Sequence, residues 1–164
     1  VDGGSVCRAR IVDITRGRAG APGELAGSFA LEDEIGQIRE NTASGIFGVM
    51  GDGSDAYRPP VPVAAPEEVE SSPATILACV SGHETGEYRV EISRAGFVPG
   101  DGRDLTVRVT DPALLAATGG IVQGMSGSPI LQNGRLVGAV THVQVRPWSL
   151  RALHAWGALG TGRW

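Results

Sequence analysis

The chain has 164 residues, 41% of them hydrophobic and 20% charged, with a formal net charge of −4. That length can bury one good core, and the chain is too polar for a membrane span. The acidic balance and the lack of any basic cluster argue against nucleic acid or an anionic membrane surface as the main partner. All 14 basic side chains are arginine, which with the abundant Ala, Gly and Val reflects coding bias rather than chemistry. Val1 opens directly into a strand-like run with no Met, so the chain is expected to be a piece of a longer protein.

Twenty-five glycines and ten prolines punctuate short β-prone runs, the pattern of an all-β barrel or sandwich. Residues 6–15 alternate apolar and polar, and Cys7 lies among them. Arg16 to Gly23 turns the chain into a strand over 24–30, and shorter strands follow at 36–40 and 45–50. Glu32, Asp33 and Glu34 read as solvated surface or turn charge, as do Glu67, Glu68 and Glu70. Residues 51–66, rich in Gly, Pro and Asp, form the expected boundary between two β layers. Strands at 74–80 and 87–93 flank a polar hairpin loop over 81–86. Cys79 falls in the first of them, and with no CxxC and no nearby His the two cysteines read as buried thiols, with a disulfide as the alternative.

Residues 105–110 alternate as a further strand. Asp111-Pro112 then opens a short helix near 112–118 that Gly119-Gly120 closes: an Asp N-cap, Pro at the first helical position and Gly past the end. Strands at 129–132 and 135–140 enclose Asn133-Gly134, the dipeptide suited to the two positive φ values of a type I′ turn. Beyond residue 145 the alternation stops, and Trp148, Trp156 and Trp164 crowd an atypical tail over 146–164.

Between helix and hairpin lies Gly124-Met125-Ser126-Gly127-Ser128-Pro129. A serine nucleophile needs its hydroxyl on a sharp, glycine-flanked turn that also offers backbone N–H groups to a developing oxyanion. In the chymotrypsin pattern the serine follows Gly-x and precedes Gly, which assigns Ser126 as nucleophile and the Gly124 and Ser126 amides as the oxyanion hole. A plain Gly/Ser turn between strands is the competing reading of six such residues. The context favours the first. From Thr110-Asp111-Pro112 through Gly119-Gly120-Ile121-Val122-Gln123 to Thr141-His142-Val143, the chain resembles the signature region of the SpoIVB family of sporulation serine peptidases. The likeness continues more weakly upstream, through residues 17–25 and 41–48.

That resemblance implies a chymotrypsin-like double β-barrel, incomplete at the N-terminus, with residues 1–145 forming part of a serine peptidase domain. It implies Ser126 as nucleophile and Asp111 as the acid that orients the base. Read without the resemblance, Asp111 is a helix cap. The family takes its base from a Gly-His-Gly motif, and residues 1–164 contain none. His142 reads as a structural residue on its strand, His83 as exposed in its loop, and His154 lies in the atypical tail. The chain alone is therefore expected to be inactive. The resemblance further implies a protein or peptide substrate, no cofactor or metal, a membrane anchor and PDZ domain upstream, and an extracytoplasmic location in the intermembrane space of the developing spore. A non-catalytic peptide-binding or scaffold module that keeps the protease fold is the alternative.

Overall fold

The computed structural model describes residues 3–42, 45–51, 60–94, 105–141 and 143. His142, His154, the 146–164 tail and residues 52–59 of the expected 51–66 connection lie outside the described residues. The described chain is mostly β with one short α-helix, and its larger sheet is curled as half of a chymotrypsin-like barrel, with the barrel incomplete. It divides into two compact units, one of residues 1–10 and 27–60, the other of residues 11–26 and 61–164.

A three-stranded sheet runs in the order β1-β2-β3, with β1 at Gly4–Thr15, β2 at Glu24–Thr42 and β3 at Gly45–Met50; residues 11–15 and 24–26 of it belong to the second unit and the rest to the first. The two strands expected at 24–30 and 36–40 are one continuous strand of 19 residues. Its acidic middle is strand and not turn, because neighbours remote in sequence take up the charge: Arg8 pairs with Asp33 at 2.9 Å and Ser5 Oγ donates to Glu34 at 2.6 Å. Such cross-strand pairs offset the poor β-propensity of Glu and Asp.

The second unit holds a five-stranded antiparallel sheet in the order β6-β5-β4-β7-β8. The strands are β4 at Pro73–Ser81, β5 at Glu84–Arg94, β6 at Leu105–Val109, β7 at Pro129–Gln132 and β8 at Arg135–Ala139. Strict alternation along β4 and β6 sends one set of side chains inward. Ile76, Val90, Val107, Ile130 and Val137, one from each strand, are all essentially inaccessible to solvent. Fully burying each contributes about 1.5–3 kcal/mol. The β4–β5 connection is tighter than the polar run 81–86 suggests: Ser81 pairs with Glu84 across a two-residue turn whose Gly82 has φ 61°. Glu84 and Thr85 are polar because they lie exposed on a strand, not because they loop. The β7–β8 hairpin turns on Asn133 and Gly134 with φ of 51° and 74°, as the dipeptide requires.

Helix α1, Pro112–Thr118, ends on Gly119 in the left-handed region and seats Leu114 and Thr118 in the core. Residues 62–64 run along β8, where Ala64 N–H donates to Leu136 C=O and Leu136 N–H to Pro62 C=O, both at 2.9 Å. Cys7 and Cys79 are free thiols and only half-buried, so neither the disulfide nor a fully buried pair describes them.

Candidate active site

The loop that follows α1 is drawn inward at one residue and left outward at its neighbours. Met125 is 2% exposed and plugs into the core of the second unit, while Gly124, Ser126 and Gly127 are exposed. Gly124 and Gly127 have φ of 95° and 88°, values that a side chain would strain. Backbone bonds hold both ends of the turn. Met125 N–H donates to Val122 C=O at 3.2 Å, and Ser128 N–H to Met125 C=O at 3.1 Å. Gly127 N–H donates to Val140 C=O at 2.7 Å, and Val140 N–H to Ser128 C=O at 2.9 Å. An exposed serine thus sits between a buried side chain and a residue stapled to the end of β8. Among the described residues, neither the Gly124 N–H nor the Ser126 N–H donates a hydrogen bond.

Ser126 Oγ donates to Thr141 C=O at 3.5 Å, the outer limit of a hydrogen bond. A carbonyl oxygen orients the hydroxyl without accepting its proton. The exposed turn residue His83 makes no described contact with Ser126.

Four contacts that the linear sequence does not announce support this loop from below, all within the second unit. Gly17 N–H donates to Thr118 C=O at 2.9 Å, Gln123 N–H to Gly23 C=O at 2.8 Å, and Leu25 N–H to Gln123 C=O at 2.9 Å. The Arg16 guanidinium donates to Leu115 C=O at 3.0 Å. Residues 16–25, read from sequence as a turn entering a strand, thus cradle the base of the Ser126 loop. The signal was present as the clustered Gly17, Gly20 and Gly23, but a turn signature says nothing of what the turn packs against. Gly23 is the tightest point: a Cβ there would lie 2.3 Å from Thr15 O, 2.4 Å from Gly17 N and 2.7 Å from Val122 Cγ1. Two of those obstacles are backbone. Gly23→Ala is therefore expected to lower stability by about 3 kcal/mol, the upper part of the usual overpacking range, as read by urea unfolding. A change below about 0.5 kcal/mol, the size of an ordinary surface substitution, would show that the cradle yields freely.

Asp111 lies at the start of α1 with its side chain 14% exposed. Oδ1 accepts from Ala113 N–H at 2.9 Å and Leu114 N–H at 3.2 Å. Oδ2 accepts from Arg89 N–H at 3.4 Å and lies 3.6 Å from Arg89 Nε. The cap is thus fully formed, and the oxygen facing Arg89 is the more loosely held. No described residue hydrogen-bonds both Asp111 and Ser126. Burial alone would raise the carboxyl's pKa, but the amides of Leu114, Arg89 and Ala113 and the charge of Arg89 outweigh it and hold the pKa below its ordinary value.

A lowered folded-state pKa gives the sign of a pH effect. The ionised cap contributes its full stability above the ordinary carboxylate value of 3.8, and loses it as pH falls through the lower folded value. Unfolding free energies of the wild type and Asp111→Asn should therefore differ most near about pH 6 and draw together as pH falls below 3.8 through the lower folded value. A gap that stays constant over that interval would contradict the assignment.

Among the described residues no group of His, Cys, Asp and Glu could hold a metal ion. What the arrangement offers is an exposed hydroxyl on a rigid glycine corner, flanked by two amides without described partners. Compared with known proteins, the chain matches the family model of the SpoIVB peptidase S55 over residues 1–149. No curated protein and no solved structure matches it.

Proposed function

The chain belongs to the SpoIVB peptidase S55 family, peptidases of sporulation whose substrates are proteins, and from that premise we propose that it is the nucleophile-bearing part of a serine endopeptidase working through an acyl-enzyme. One observation carries the reading: Ser126 stands exposed between Gly124 and Gly127, two residues held at positive φ, directly after a buried methionine.

In the proposed cycle Ser126 Oγ attacks the peptide carbonyl carbon as a histidine takes its proton. The negative charge on the former carbonyl oxygen is met by the Gly124 and Ser126 N–H groups. Collapse breaks the C–N bond, the histidine returns its proton to the leaving amine, and water repeats the sequence on the ester. Asp111 is proposed to orient that histidine through Oδ2, the oxygen that Arg89 holds only at 3.4 and 3.6 Å. The histidine is assigned to a Gly-His-Gly motif outside residues 1–164, so these residues alone are proposed to be inactive. The location is proposed to be extracytoplasmic, behind a membrane anchor and a PDZ domain carried elsewhere in the protein; no described helix is long and apolar enough to cross a membrane.

A non-catalytic peptide-binding module is the second reading, favoured by one fact: the described partner of Ser126 Oγ is a carbonyl and not an imidazole. Digestion of a random peptide library by the full-length protein separates the two. Internal cleavage, read by mass spectrometry and blocked by a fluorophosphonate, supports the peptidase; peptide binding with no cleavage product supports the scaffold.

A further inference from the structure

Two peptide units in the nucleophile loop have their carbonyls tied down and their amides left without described partners. In the unit joining Gln123 to Gly124, the carbonyl oxygen accepts from Leu25 N–H at 2.9 Å. In the unit joining Met125 to Ser126, it accepts from Ser128 N–H at 3.1 Å. Both units are trans. A trans peptide is planar, with C=O and N–H pointing in opposite directions. Fixing the carbonyl therefore fixes the amide: the Gly124 N–H must point away from Leu25, and the Ser126 N–H away from Ser128.

The two restraints differ in kind. The Met125–Ser128 bond is local to the loop and re-forms with it. The Leu25–Gln123 bond comes from the start of β2, some hundred positions earlier, and Gln123 N–H returns a bond to Gly23 C=O at 2.8 Å. Gly124 can turn easily by itself, since it has no side chain and sits at φ 95°. Among the described residues, the bond to Leu25 is the one hydrogen bond that restrains rotation of the 123–124 unit about its flanking single bonds, and the Leu25 side chain lies beneath: a Cβ at Gly124 would stand 3.1 Å from Leu25 Cβ.

We infer that the Leu25 N–H is a positioning group for catalysis, which sets the Gly124 amide as an oxyanion donor by holding the Gln123 carbonyl. The inference rests on the peptidase reading and adds to it the residue that keeps one of the two donors in place. Leu25 touches no reacting atom. Its loss is expected to cost what the loss of one oxyanion donor costs, on the order of 10²–10³-fold in the chemical step.

The test removes that donor without changing a side chain, by placing leucic acid at position 25 of the full-length protein so that an ester oxygen replaces the N–H. Labelling with a fluorophosphonate forms a P–O bond to Ser126 as the P–F bond breaks and fluoride departs; the Ser126 proton passes to the proposed base histidine, and a phosphoryl oxygen is left where the oxyanion would lie. The expected result is a maximal labelling rate about 100-fold lower, the low end of that range, with the reversible inhibitor constant and the melting temperature near wild type. Leu25→Val, which restores the N–H, should restore the rate. A merely structural role would move the melting temperature and leave this split absent. Labelling of the ester protein at the wild-type rate would overturn the inference, whereas failure of the wild type itself to label at Ser126 would overturn the peptidase reading beneath it. Should the ester protein not fold, the wild type still decides: on phosphonylation the Gly124 amide proton should shift downfield in the NMR spectrum as it gains an acceptor, and an unchanged shift would contradict the inference.

Discussion

Replacing Ser126 with alanine in the full-length protein is expected to lower kcat for peptide hydrolysis by about 10⁶-fold, the loss typical when the nucleophile of a serine triad is removed. KM should change little, because the hydroxyl contributes to the transition state and scarcely to ground-state binding. Stability should also hold, since Ser126 is exposed and its one described hydrogen bond is 3.5 Å long. The neighbouring Met125 carries the packing instead, at 2% exposure. Kinetics and thermal unfolding of the same preparation therefore separate chemistry from folding. Turnover within tenfold of wild type in Ser126→Ala would remove this residue from the mechanism.

The second large effect is expected at Asp111, where two roles must be told apart. Asparagine is as good an N-cap as aspartate, so Asp111→Asn can keep accepting from Ala113 and Leu114 through its side-chain oxygen. It cannot stabilise an imidazolium. If Asp111 orients the base, the substitution should lower kcat by about 10⁴-fold, the cost of the same change in a serine triad, while unfolding near neutral pH shifts only modestly. Asp111→Ala should add the loss of the cap, about 1 kcal/mol. Full activity in Asp111→Asn together with lowered stability in Asp111→Ala would make the residue a cap alone, with Arg89 as its ionic partner.

How far the sequence reaches depends on whether the determining contact is near or far along the chain. The helix at 112–118 and the turn at Asn133-Gly134 are local: cap, proline, glycine and positive φ act within four residues, and the structure has each where the residues place it. The corner at Ser126 is local in the same way, because Gly124 and Gly127, both at positive φ, are what its conformation demands. The continuity of β2 through Glu32, Asp33 and Glu34 was not legible, because Arg8 and Ser5, which take up two of those charges, lie more than twenty positions away. Nor was the two-residue β4–β5 turn, since polar residues on an exposed strand look like loop residues until their partners are known. The cradle of residues 16–25 beneath the Ser126 loop is the most distant of these contacts, and the glycine spacing that permits it carries no address. Asp111 shows the limit from the other side: the residue type serves a cap and a triad equally well, and its hydrogen bonds show the first role without testing the second.

Peptide mapping by mass spectrometry after fluorophosphonate treatment of the full-length protein decides whether Ser126 is an activated nucleophile. A single phosphonyl adduct is expected, carried by Ser126, that disappears when the protein is unfolded before treatment. An adduct confined to another residue, or none in the folded protein, would contradict that role.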